Sequence, residues 1–269
     1  MSILVSGGPR RGFFYSLVSF LKTNEITVVI KKISAIAAIT LALSSVALAI
    51  YAHDVLACSL VGFSDFEQIE KNIYVATATS VEERKQLLSL IAEAKGRVGS
   101  TYGRLASTPV IITATHMGSL KWFSSNEYAS TKFVPGQSYI VLGPRGHNVD
   151  VIAHELVHAE IFEHAGYWVR SVYIPVWFEE GVAMQVDYRK KYDLPLEKEK
   201  SSTLDSLRYS WQFFKGDDVE LTNHYAVAKA EVRSWLTSAG NGSVQSLLKK
   251  VKSGENFDGT YRKMRGNES

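Results

Sequence analysis

Residues 33–52, ISAIAAITLALSSVALAIYA, run for twenty positions without a charged side chain. As a helix at about 1.5 Å per residue, such a run reaches about 30 Å, the thickness of a bilayer's hydrocarbon core. That feature divides the chain, because the segments on its two sides must fold apart. Lys31 and Lys32 stand directly before the run, and the next lysine or arginine after it is Lys71. The positive-inside rule then keeps residues 1–32 in the cytoplasm and exports everything after residue 52. The expected organisation is a cytoplasmic segment (1–32), a transmembrane anchor (33–52), a linker (53–70) and a folded domain (71–269). The apolar core exceeds the about 7–15 residues of a cleaved signal peptide, which favours a retained single-pass anchor in an inner membrane, with the domain on the periplasmic side.

Cys58 leaves an alternative open. The stretch VLAC, 55–58, resembles the bacterial lipoprotein signal, in which the cysteine is lipidated and becomes the N-terminus, although Leu56 is bulky for its place. Being the only cysteine, Cys58 forms no internal disulfide, so the domain holds together by packing. Upstream, Phe13, Phe14, Leu17, Val18 and Leu21 share one helical stripe, which reads either as a helix on the cytoplasmic membrane surface or as an unstructured leader.

Residues 1–32 hold five basic side chains against Glu25, leaving twenty-five basic and twenty-six acidic residues beyond. No basic face remains for nucleic acid, so that class of partner is excluded.

Past the anchor the pattern is α+β. Strands are expected at 72–79, 109–115 and 136–144, and a helix over 81–102, opened by the Ser80/Glu83 capping box. Asn148 caps a helix that runs to about 164 and stops at Gly166; Pro175 starts another, to about 189. Helices over 223–238, 243–252 and 256–264 complete the chain.

The helix from Asn148 carries HELVH, 154–158. Residues four apart share a helix face, so His154 and His158 can present two imidazole nitrogens to one Zn²⁺. Glu155 lies one position round, placed to take a proton from a water acidified by the metal. Val151, Ile152, Leu156, Val157 and Ile161 make this helix strongly apolar, and burying histidines and a carboxylate there unpaired costs several kcal/mol. A metal removes that conflict.

Two places offer a third ligand. His164 has the histidine spacing of the metzincin signature, HExxHxxGxxH, but Ile161 stands where that signature has its turning glycine. The other is PVWFEEGVAMQ, 175–185. Here the chain resembles the gluzincin zinc metallopeptidases of the peptidase-MA-like group, whose third ligand is a glutamate in a Trp-x-x-Glu-Gly-x-Ala motif on the following helix. That resemblance makes Glu180 the third ligand, ahead of Gly181 and Ala183, with Glu179 a polar neighbour outside the coordination. Two helices joined through 165–174 bring a first-turn carboxylate beside the histidines, and Gly181 lets them pack closely. A carboxylate orienting the histidines has no obvious place; Asp187 is the remaining choice.

The resemblance covers roughly 72–264 and implies a zincin-like fold: a small sheet with the HExxH helix, then a helical lobe. It also implies an oxyanion donor from NHYAVAKAEVRSWL, 223–236, with Tyr225 first and His224 second. The strand SYIVLG is expected to border the cleft as the sheet's edge, with Tyr139, Ile140 and Val141 open to an added peptide strand. His53, His116 and His147 read as solvated. The function implied is a membrane-anchored, zinc-dependent peptidase acting on a peptide or protein substrate. The rival is a non-catalytic domain of the same fold binding a cell-envelope partner, which has no need of Glu155.

Overall fold

The computed structural model describes residues 31–46, 52–194, 204–240 and 242–266. The stripe at 13–21 and residues 47–51 of the apolar run lie outside these. Residues 31–46 form helix α1, exposed along its length. Among the described residues no helix is long and apolar enough to cross a membrane. The chain up to His53 and the chain from Asp54 onward are separate compact units.

The second unit is α+β, with one small mixed sheet. Strands β1 (Phe66–Glu70), β2 (Ile73–Ala76), β3 (Val110–Thr113), β4 (Ala129–Val134) and β5 (Gln137–Leu142) lie in the order β1-β2-β3-β5-β4. The inner pairs β2–β3 and β3–β5 are parallel, and the outer pairs are antiparallel. Ile73, Val75, Ile111, Ile140 and Leu142 pack one face of the sheet against α3 (Val81–Tyr102) and α5 (Val149–Ala165). Ile112, Tyr139 and Val141 pack the other face beside α2 (His53–Ser59) and α4 (Met117–Leu120). Helices α6 (Tyr167–Tyr173), α7 (Val176–Ala183), α8 (Ser210–Phe213), α9 (Asp218–Ala239), α10 (Ser243–Lys252) and α11 (Phe257–Met264) complete the unit.

Helix α3 starts at its expected cap: Ser80 Oγ accepts from Glu83 N, and the Glu83 carboxylate accepts in return from Ser80 N. Other expectations need correction. Residues 53–70 are not a linker, since α2 and β1 belong to the folded unit and Cys58 and Phe66 lie in its second core. Strand 136–144 is not the edge. β5 is paired on both sides and Tyr139, Ile140 and Val141 are buried, as a nearly continuous apolar run requires. The edge on this side is β4, ASTKFV, too polar to stand out as a strand. Its Lys132 is the kind of residue that discourages sheet-to-sheet pairing. Pro135 and Gly136, the latter at φ +86°, close the β4–β5 hairpin.

Helix α7 ends at Ala183 rather than near 189, because tertiary bonds claim the backbone beyond it. Lys229 Nζ donates to the Asp187 carbonyl at 2.9 Å and the Tyr188 N–H to Asp150 at 3.2 Å. Helix α9 begins five residues earlier than expected, capped by Asp217 and Glu220 rather than at Asn223. Aromatic packing of Phe178, Trp235, Phe257 and Tyr261 joins α7, α9 and α11.

Gly181 sets the approach of α7 to α9. A Cβ there would meet the Ala228 carbonyl oxygen at 2.5 Å and Val232 Cγ2 at 2.6 Å. Backbone cannot yield as a flexible side chain can. Gly181→Ala is therefore expected to lose about 1–3 kcal/mol to overpacking, outweighing the about 1 kcal/mol that alanine gains in a helix. Urea denaturation of the full chain in detergent measures this.

Candidate metal centre

Asn148 Oδ1 accepts from Val151 N at 3.0 Å and opens α5, which runs unbroken past the HELVH pentad to Gly166. His154, Glu155 and His158 are all buried, so the helix delivers ionisable groups into the interior. Helix α7 crosses against it and adds Glu179 and Glu180, also buried. One ligand atom each from His154, His158 and Glu180 lies within 4.8 Å of the others. The two Nε2 atoms stand 3.1 Å apart, and Glu180 Oε2 is 3.2 Å from the first and 3.6 Å from the second.

Three observations make this cluster fit a cation. Glu180 Oε2 is a fully buried acceptor without a hydrogen-bond partner among the described residues. His158 Nδ1 lies 2.7 Å from Glu179 Oε1; a proton held there turns the Nε2 lone pair toward His154 and Glu180. The third is charge. Glu155, Glu179, Glu180 and Asp187 are buried around the histidines, while Arg170 clamps Glu179 and Arg189 clamps Asp187. Fully ionised, this group lacks two positive charges, which one divalent ion would supply.

In the metal-free protein a proton fills part of that role. Burial opposes a charged His158, but Glu180 and Glu179 overcome it and raise its pKa well above the usual imidazole value. Burial likewise opposes a charged Glu180, and His158 and His154 outweigh it, holding its carboxyl well below the usual range. Glu179 is lowered against burial by Arg170 and His158, and Asp187 by Arg189.

The other expected residues divide. Thr131 Oγ1, on β4, donates to Glu155 Oε2 at 2.6 Å, holding that carboxylate beside the ligands. Tyr225 lines the same cleft, its ring 6.2 Å from that of His154 and wedged against Phe213 and Tyr192. Burial and Glu180 raise its phenol pKa well above normal, so it stays a proton donor. His224 turns away: its Nδ1 lies 2.7 Å from the Phe213 carbonyl and it does not line the cleft. His164 is also apart, 3.6 Å from Glu160, which binds the N–H groups of Ala106 and Ser107. Asp187 Oδ2 approaches His154 Nδ1 only to 3.9 Å, too far for a hydrogen bond. The orienting carboxylate is instead Glu179, whose signal was a second glutamate inside the apolar run PVWFEEGVA. His147 is half-buried rather than solvated, 2.8 Å from Thr113 Oγ1, and burial lowers its pKa.

The cleft has two arms of about 280 and 260 Å³ that share Asn126, Ala129, His154, Glu155 and Tyr225. Phe133, Val176 and Phe214 wall the first; Tyr128, Tyr192 and Leu221 wall the second. β4 runs along both. Just past its pairing with β5, the Gly143 N–H donates to the Tyr128 carbonyl at 2.8 Å. Antiparallel alternation then turns the backbone of Ser130 and Lys132 toward β5 and leaves that of Ala129, Thr131 and Phe133 on the open edge.

No protein family, curated protein or solved structure matches the chain.

Proposed function

We propose that the protein is a zinc-dependent peptidase of the gluzincin type with a zincin-like fold. In this reading it is anchored by residues 33–52, with its cleft on the extracytoplasmic side. His154, His158 and Glu180 hold one zinc ion. The observation that carries the reading is their convergence, with Glu155 beside them, in a cleft bordered by an open strand edge.

Zinc, when bound, acidifies a water and polarises the scissile carbonyl. An extended peptide adds to β4, bonding to the free backbone groups of Ala129, Thr131 and Phe133. Glu155 takes up a proton from the attacking water, its other oxygen fixed by Thr131, and delivers it to the leaving amine. Tyr225 O–H donates to the oxygen that gains charge as the carbonyl is attacked. Anchoring through Cys58 fits poorly, because that side chain is wholly buried against the sheet.

The test is cleavage of an unfolded protein by the purified full chain in detergent. Cleavage that a chelator stops and zinc restores supports the reading; a zinc-loaded protein that cleaves nothing leaves the binding domain in its place.

Arg170 gives a finer check. Its Nε and Nη2 donate to Glu179 Oε1 at 2.9 and 2.6 Å, and that oxygen also faces His158. Arg170→Met should leave Glu179 buried and poorly compensated, loosening His158. Zinc affinity is expected to fall about 10–100-fold, as read by competition with a chromogenic chelator.

A further inference from the structure

The two arms of the cleft meet at its reacting groups. His154, Glu155 and Tyr225 line both, whereas Phe133 lines only the first and Tyr128 only the second. Tyr128 directly precedes β4 and Phe133 lies near its end, so about 17 Å of strand separates them at about 3.3 Å per residue. The open edge therefore extends to either side of the groups that would cut. In the first arm Arg170 is bound to Glu179, and in the second Arg189 is bound to Asp187. Both guanidinium groups are thus committed to carboxylates rather than to a chain end. Lys191 and Asp218, on the second arm, are exposed and of opposite sign.

Asn126 stands where the arms cross and lines both. Its loop is fixed by three bonds. Asn126 N donates to Ser124 Oγ at 3.0 Å, Arg145 N to the Glu127 carbonyl at 2.9 Å, and Gly143 N to the Tyr128 carbonyl at 2.8 Å. A Cβ at Gly143 would fall 2.3 Å from that Glu127 oxygen, so the approach requires glycine there. Asn126 Oδ1 accepts from Tyr128 N at 2.8 Å, which leaves the Nδ2 amide without a hydrogen-bond partner among the described residues. With the Tyr128 N–H and the carbonyls of Glu127 and Tyr128 already bonded, the open backbone edge begins at Ala129. Asn126 Nδ2 supplies a donor just beyond it.

We infer that an extended polypeptide passes through both arms, its backbone held at their crossing by the Asn126 amide, and is cut at a bond inside the chain. The inference rests on the peptidase reading and deepens it. Bonding to a strand edge engages the main chain, so it needs neither terminus of the substrate. The substrate class is unfolded polypeptide, entered anywhere along its length.

The experiment incubates mixed-sequence peptides with the zinc-loaded full chain in detergent, one set acetylated and amidated, the other with free ends. Mass spectrometry reads the products. The expected result is similar rates for both sets, with cuts several residues from either end. Release of single residues or dipeptides overturns the inference and spares the peptidase reading. So does a rate that blocking lowers by about tenfold, the cost of a lost charged hydrogen bond. Peptides left intact by the zinc-loaded protein overturn both. Asn126→Asp tests the crossing, since Oδ1 still accepts from Tyr128 N while an acceptor replaces the amide donor. For one peptide cut from the blocked set, KM should rise about tenfold, with kcat and zinc content little changed. An unchanged KM, or a loss confined to kcat, overturns the assignment of Asn126 and the inference with it.

Discussion

Glu180→Ala is expected to abolish stable metal binding while the protein stays folded. Among the described residues the carboxylate is the only group from outside α5 whose atom joins the two Nε2 nitrogens, so its removal leaves two neighbouring imidazoles on one helix. Losing a ligand should exceed the about 10–100-fold that losing an outer partner costs. The fold should survive, because a buried charge is exchanged for a methyl group and His158 loses the main reason to hold a proton. Metal content after dialysis, alongside near-ultraviolet circular dichroism, separates the two effects. Retention of one zinc per chain by the variant would mean that the third ligand lies elsewhere.

The same pair makes the metal-free protein respond to pH in a stated direction. Glu180 has its pKa depressed on folding, so its contribution is complete above the ordinary value of 4.5 and is lost as pH falls further. His158 has its pKa raised, so its contribution is complete below the ordinary value of 6.5 and is lost as pH rises through the folded value. Metal-free wild type should therefore be most stable between these limits. Glu180→Ala should flatten the profile, as thermal unfolding in chelator across pH will register. Zinc reverses the upper limb, since it competes with the proton on His158 and binds more tightly as pH rises.

How much could be read from residues alone depends on where the relevant forces are local. Helix α3 was legible because a capping box is a contact between residues three apart. Helix α5 and its histidine pair were legible because a period of 3.6 places them on one face. Strand β4 was not, because Ala129–Val134 owes its conformation to β5 on one side and Thr131–Glu155 on the other. Thr131, Phe133 and Val134 favour a strand, but Ala129, Ser130 and Lys132 do not, and the run lacks a clear apolar alternation. The resemblance singled out Glu180 as the ligand, but that the adjacent Glu179 faces His158 Nδ1 follows from the crossing of α7 over α5 and not from sequence. Arg170 lies in a stretch that reads as a connecting loop, yet it forms part of α6 and neutralises Glu179. The α7 terminus was misplaced for the same reason: nothing within 184–189 breaks a helix, and the bonds that do come from Lys229 and Asp150.

Glu155→Gln is expected to cut turnover sharply while leaving metal content untouched. Glutamine has the shape of glutamate, and its carbonyl oxygen can still accept from Thr131 Oγ1, which now stands 2.6 Å from Glu155 Oε2. What the amide cannot do is take a proton from water. Removing a positioned general base costs about 10²–10⁴-fold in rate, so kcat should fall by that factor with KM little changed. Thr131→Val provides the graded companion: the base remains but its carboxylate is free to rotate, and the loss should be smaller. Both variants should match wild type in zinc stoichiometry, because neither residue supplies an atom to the cluster of His154, His158 and Glu180. If Glu155→Gln hydrolyses an unfolded protein at the wild-type rate, the proton leaves the water by another route. If neither wild type nor variant turns over while both hold zinc, Glu155 is a buried carboxylate serving Thr131 and the edge strand, and the cleft belongs to a binding domain.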